Sequence, residues 1–231
     1  MSLQWLEKYR SSNEGYNLVM GLRETKKLAT RLQIADVAMR LFVQRGFDRV
    51  TVAEVAAEAG VSEKTVFNYF PTKEDLFFDE IPERTRKLTE AIRSRADGET
   101  ILDTLRRLQV GECARLSSPG FAAFARTLED SPALRAKELE VMWTFAQALT
   151  DALEEEGIDA RDARIAASLL ISVHRQFFRA ARMQALAGKH GPTAARRLRN
   201  DLERAYTLLE HGLGGLGAHT SSTAKAAGTH R

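Results

Sequence analysis

Residues 51–70 read TVAEVAAEAGVSEKTVFNYF, and the rest of the chain is organised around them. Thr51 is suited to open a helix, and Glu54, three positions on, completes a reciprocal capping pair. Val50 and Val55 stand where a hydrophobic staple packs across such a start. Val52, Val55, Ala56 and Ala59 recur at i, i+3, i+4 and i+7, which makes one apolar helix face. Gly60 stops that helix because it tolerates positive φ. Ser62 then caps a second helix through its hydroxyl. Two short helices joined by a three-to-four-residue turn containing glycine form a helix-turn-helix.

The second helix carries different chemistry. Val66 and Phe70 lie one turn apart and anchor it to a core, which leaves Lys64, Thr65, Phe67, Asn68 and Tyr69 on the outward surface. Donors, a methyl-bearing hydroxyl and aromatics suit base edges, thymine methyls and phosphates. The bland alternative is a solvated face with two exposed aromatics. Upstream, Leu28, Leu32, Ala35, Ala38 and Phe42 form a stripe in a helix from Leu22 to Arg45, which Gly46 ends. Downstream, Pro71-Thr72 marks a boundary, with Thr72 capping a helix and Asp75 three residues later. Arg23, Lys26, Lys27 and Arg31 crowd the entry to the first helix with Glu24 the one acid among them, so binding to a polyanion should weaken steeply with salt.

The run from Arg31 to Phe78 resembles the N-terminal domain of the tetracycline-repressor (TetR) family of transcriptional regulators. The residues that carry the resemblance lie between Ile34 and Phe77: Phe42, Gly46-Phe47, Thr51-Val52, Val55-Ala56, Ala59 to Ser62, Thr65 to Phe67, Tyr69-Phe70 and Lys73 to Leu76. The resemblance implies a sequence-specific DNA-binding regulator, a homodimeric repressor of a palindromic operator that an apolar small molecule releases. Control by a protein partner, or activation instead of repression, is the alternative. The residues placed at DNA are Arg31, Thr51, Ser62, Lys64, Thr65, Phe67, Asn68, Tyr69 and Lys73, the last where proteins of this kind touch a phosphate.

Composition sets broad limits. A chain of 231 residues with 44% hydrophobic and 28% charged residues describes an ordinary globular protein, and no apolar run approaches a membrane span. Net charge of +3 and a pI near 9.1 are too mildly basic to argue for nucleic acid alone. The first ~20 residues lack a continuous apolar core of the signal-peptide kind. One cysteine, Cys113, rules out an internal disulfide framework and fits a reducing cytoplasm, where a small buried residue is its expected role.

The chain divides into an extension (1–21), a DNA-binding domain (22–80, motif 51–70), a larger helical regulatory and dimerisation domain (81–213) and a disordered tail (214–231). The extension reads either as a loosely held arm or as sequence upstream of a start at Met20. From residue 81 onward the pattern stays helical: Asp97-Gly98 opens a helix to about Leu116, Ser117 to Gly120 break it, Gly157, Gly188 and Gly212 end later helices, and no alternating strand pattern appears. The fold class is therefore all-α. Ser131 with Pro132 opens one long helix, Asp159 the next, and Gly191-Pro192 the last. Ile165, Leu169 and Phe177 run along one of these, and Leu198, Leu202 and Leu209 along the last. Such seams either bury within their own bundle or, as the resemblance implies, pair with their copies in a two-fold dimer.

For an effector, the aromatics Phe121, Phe124, Trp143 and Phe178 with the polar pair His174 and Arg175 are the candidates. Other chemistry falls away. GLGGLG, residues 212–217, matches the dinucleotide-binding string, but no strand precedes it and no helix follows. The five histidines show no metal-ligand spacing, and no catalytic grouping stands out. No cofactor, no metal and no enzyme activity is expected.

Overall fold

The computed structural model describes residues 22–212, and every element among them is helical. The extension at 1–21, the tail at 214–231 and most of the GLGGLG run lie outside the described residues. The first helix, α1, spans Leu22–Arg45 and stops at Gly46, whose φ of 85° turns the chain into a 3-10 turn over Phe47–Arg49. Three short helices follow: α2 (Val52–Glu58), α3 (Glu63–Tyr69) and α4 (Lys73–Phe77). The bundle behind them holds α5 (Ile81–Arg93), α6 (Ile101–Leu116), α7 (Pro119–Asp130), α8 (Pro132–Glu155), α9 (Ala160–Leu186) and α10 (Pro192–His211).

Punctuation explains most boundaries. Pro119, Pro132 and Pro192 each start a helix, where the missing N–H is one the helix could not have satisfied internally. One start differs from expectation. Asp97-Gly98 does not open α6; it makes a turn, closed by Glu99 N–H donating to the Ala96 carbonyl at 2.9 Å. Thr100 is the cap instead, with its hydroxyl accepting from Asp103 N–H at 3.1 Å and Asp103 returning the bond. A hydroxyl three residues before a carboxylate satisfies two orphan donors at once, which Asp97 does not.

Two apolar clusters hold the structure together. The first joins Ile34, Ala38 and Phe42 of α1 to Val55, Val66, Phe70, Leu76 and Phe77, and continues without a break into Leu128, Leu134, Val141 and Phe145 of α7 and α8. The head is therefore packed onto the front of the bundle. Polar links follow the same seam. Ser131 Oγ donates to Asp48 Oδ1 at 2.8 Å while accepting from Leu134 N–H, and Lys137 Nζ lies 3.2 Å from Asp75. The second cluster fills the rear bundle with Ile92, Leu105, Leu116, Leu153, Phe177, Leu198, Leu202 and Tyr206.

That second cluster corrects the expected dimer seam. Leu198 and Leu202 are 1% and 2% exposed, and Phe177 is 4% exposed, so these three belong to the subunit's own interior. Leu209 is half-buried against the same cluster. Leu198, Leu202 and Leu209 mark one apolar face of α10, and α6 and α9 already cover it. Each such leucine removed from water contributes ~1.5–3 kcal/mol to the bundle. Ile165 and Leu169, by contrast, are exposed on α9.

Candidate functional site

The helix-turn-helix is built from local hydrogen bonds. Thr51 Oγ1 accepts from Glu54 N–H at 3.2 Å, and Glu54 Oε2 accepts from Thr51 N–H at 2.8 Å. Those bonds, the Thr51 backbone N–H first and the Arg45 guanidinium next, hold the Glu54 carboxyl down to about 2. The far end of α2 closes with Val61 N–H bonded to the Ala56 carbonyl and Gly60 N–H to the Ala57 carbonyl, the pairing of a Schellman motif. Gly60 takes φ 67°, and a Cβ there would meet nothing, so the backbone angle alone selects glycine. Ser62 Oγ then accepts from Thr65 N–H at 3.1 Å and starts α3. From behind, Gln33 of α1 donates to the Ala59 carbonyl at 3.0 Å and pins the turn.

Helix α3 is seated by Val66 and Phe70, both 1% exposed. Lys64, Phe67 and Asn68 stand exposed on the opposite side, with Phe67 47% accessible, while Thr65 and Tyr69 are half-buried at the edges. Thr51 and Ser62 are exposed at the two helix starts, their hydroxyls committed to capping. An exposed lysine, amide and aromatic on one short capped helix can meet phosphates, base edges and methyl groups together.

Two residues placed at DNA by the sequence are engaged elsewhere. Arg31 donates through Nη2 to the Asp79 carbonyl at 2.8 Å, and its guanidinium lies 4.7 Å from the centroid of the Phe70 ring. It clamps α1 to the end of the head. Lys73 Nζ sits 4.2 Å from the centroid of Phe47 and 5.9 Å from that of Phe42. Desolvation in this position lowers its pKa, against the pull of Asp48, Glu74 and Glu54. Both cations are thus part of the scaffold, because flat aromatic faces within reach attract them.

Behind the head lies a partly open cavity of about 70 Å³. Its wall brings together Phe77 and Phe78 from the head, Arg84 of α5, Phe121, Phe124 and Leu128 of α7, Val141, Met142 and Phe145 of α8, and His174, Phe178 and Arg182 of α9. Phe77 stacks on Phe124 with centroids 4.5 Å apart, and Phe124 stacks in turn on Phe121 at 5.8 Å. Of the sequence candidates, Phe121, Phe124, His174 and Phe178 line this space. Trp143 and Arg175 do not; Trp143 is 70% exposed and Arg175 is exposed on α9. Phe145, two residues beyond Trp143, takes the inner position because α8 turns the 141–145–149 stripe inward. Phe77 and Phe78 had no sequence signal as cavity residues, since they read as the head's own core.

The charged groups at the cavity are paired. Arg84 bonds Glu112 at 2.7 Å and lies 3.6 Å from Glu80, and Arg115 also holds Glu112. Burial pushes the Glu112 carboxyl up, but Arg84 and Arg115 outweigh it and hold it below the ordinary range. Arg182 binds Glu138 at 3.0 Å. Beside the cavity, Asp79 is 8% exposed, and burial, with Glu80 and Asp36 adding and Arg31 opposing, pushes it up to about 7.

A capped helix-turn-helix head is thus packed on a helical bundle, with a cavity between them. Residues 34–79 match the model for bacterial regulatory proteins of the tetR family, so the head is similar to the N-terminal domain of those regulators. The HTH-type transcriptional regulator TcmR of Streptomyces glaucescens is 29% identical over 127 residues, 52% of this chain and 56% of that one. The alignment thus spans little more than half of that relative. The fatty acid metabolism regulator protein of Bacillus subtilis (strain 168) is 25% identical over 145 residues, 58% of this chain and 75% of its own. Among solved structures, the SmeT–triclosan complex shares the fold with a TM-score of 0.53 at 19% identity, over 79% of this chain and 91% of that one. No helix among the described residues is long and apolar enough to cross a membrane.

Proposed function

We propose that this protein is a homodimeric repressor that reads a palindromic operator with α3 and releases it when an apolar small molecule enters the cavity behind the head. Lys64, Phe67 and Asn68 form the reading face, flanked by Thr51, Ser62, Thr65 and Tyr69. The exposed Ile165 and Leu169 on α9, with Leu208 on α10, supply the apolar surface for a second copy. A two-fold pair predicts half-sites about one DNA turn, ~34–36 Å, apart or a multiple of it.

The observation that carries the reading is the stack of Phe77 on Phe124. A molecule in the cavity touches the back of the head directly, so it can prefer a head position unsuited to the operator. That difference in affinity between the two positions sets the size of the switch. The complex of SmeT with triclosan supports a small apolar effector. DNase footprinting on the DNA flanking the gene, with sedimentation of free and bound protein, tests the reading. A symmetric protected stretch and a dimer are expected; lone subunits on unprotected DNA would end it.

A further inference from the structure

His174 lines the cavity between two phenylalanines, its ring centroid 4.8 Å from that of Phe178 and 5.6 Å from that of Phe145. No hydrogen bond among the described residues reaches either ring nitrogen. Neither nitrogen is among the sealed, unpartnered buried atoms either, so both open onto space that a ligand can enter. Burial, reinforced by Arg84, lowers the imidazole to about 4, and it therefore offers one N–H and one bare nitrogen at neutral pH. An occupant that supplies a partner for the ring gains a hydrogen bond in a mostly apolar setting.

The charges around it exclude one broad class of occupant. Arg84, Arg115 and Arg182 each already hold a glutamate. A carboxylate or phosphate entering here would find no uncommitted cation, and would have to evict Glu112 or Glu138 from its pair. Exchanging one carboxylate for another gains little, because each arginine already has its partner.

Resting on the reading of this cavity as the effector site, we propose that its ligand is an uncharged, largely apolar molecule carrying a hydroxyl or carbonyl oxygen that hydrogen-bonds the His174 ring. The rings of Phe121, Phe124 and Phe178 contact the apolar body, and His174 selects the oxygen. Charged amphiphiles are rejected by the closed arginine–glutamate pairs, not by size.

Three matched probes test this: 4-butylphenol, butylbenzene and 4-butylbenzoate, titrated calorimetrically into the full-length protein at pH 7.5. The phenol is expected to bind roughly tenfold more tightly than either of the others, the value of one buried hydrogen bond. In His174→Phe the phenol and the hydrocarbon should bind alike, while His174→Gln, which keeps a donor and an acceptor, should still favour the phenol. As a measurement independent of how the variants fold, the His174 ring-nitrogen resonances of the parent should move with the phenol and stay in place with butylbenzene. Tightest binding by the benzoate, an unchanged phenol preference in folded His174→Phe, or unmoved nitrogens overturns the proposal while leaving the cavity a ligand site. Failure of all three probes to bind protein that still shifts its operator overturns the proposal together with the effector reading beneath it.

Discussion

Replacing Asp79 by Asn should make the protein's stability less sensitive to a rise in pH from 5 to 8. Asp79 is buried at the junction of α4 and α5, where burial first, then Glu80 and Asp36, lift its carboxyl from 3.8 to about 7. The folded chain therefore holds this proton more tightly than the unfolded chain does. The sign follows from linkage: the stabilising contribution is complete below pH ~4 and is lost progressively as pH rises to about 7. At ~1.4 kcal/mol for each tenfold in proton affinity, the gap sets a ceiling of about 4 kcal/mol. Relaxation around the ionised group lowers this, and only part of the window lies above pH 5, so ~1–3 kcal/mol is expected between pH 5 and 8. Asn keeps the shape of the neutral acid and leaves the Arg31 bond to the residue-79 carbonyl in place. Urea unfolding of parent and variant at pH 5 and pH 8, at one protein concentration, gives the comparison. The stability of the variant minus that of the parent should grow by that amount toward pH 8, other titrating groups cancelling. Parallel pH profiles would refute the argument that Asp79 is forced to ionise in an apolar setting.

Other expectations separate reading from scaffold. Lys64→Ala should leave melting unchanged yet weaken operator binding by ~1–3 kcal/mol if the lysine reads a base, or uniformly across sequences if it meets phosphate; gel shifts on operator and scrambled DNA decide. Thr51→Ala removes the α2 cap and should cost ~1 kcal/mol in chemical denaturation. Arg31→Gln should destabilise the head while leaving the slope of log affinity against log salt unchanged, whereas a phosphate contact would reduce that slope by ~1. Phe124→Ala should cost ~2–4 kcal/mol through the lost stack on Phe77 and the enlarged void, measured by thermal unfolding.

The head was legible in the sequence because its determinants are local. Thr51 with Glu54, Gly60, Ser62, and Thr72 with Asp75 each act within a few residues, and each makes the bond its spacing predicts. The seating of α3 by Val66 and Phe70 follows from the same short-range periodicity. What the sequence hides is which apolar face meets what. Leu139 and Trp143 on α8 repeat as regularly as Val141 and Phe145, yet the first pair is exposed and the second buried. Only the docking of the head and α9 against α8 decides between them. The contacts of Arg31 and Lys73 within the head are hidden for a related reason. A cation beside a DNA-reading motif suggests phosphate, while the aromatic faces of Phe70 and Phe47 that capture these two come from elsewhere in the fold.

Phe77 serves two masters: it is core for the reading head and wall for the cavity. New chemical tastes therefore cannot be acquired freely on every side of the cavity. Under the function proposed above, carving room by shortening Phe77 would slacken the head with no molecule bound, and the variant would behave as though permanently induced. Variation in what is sensed then has its open ground across the cavity at Phe178, which packs against the rear cluster and not against the head's.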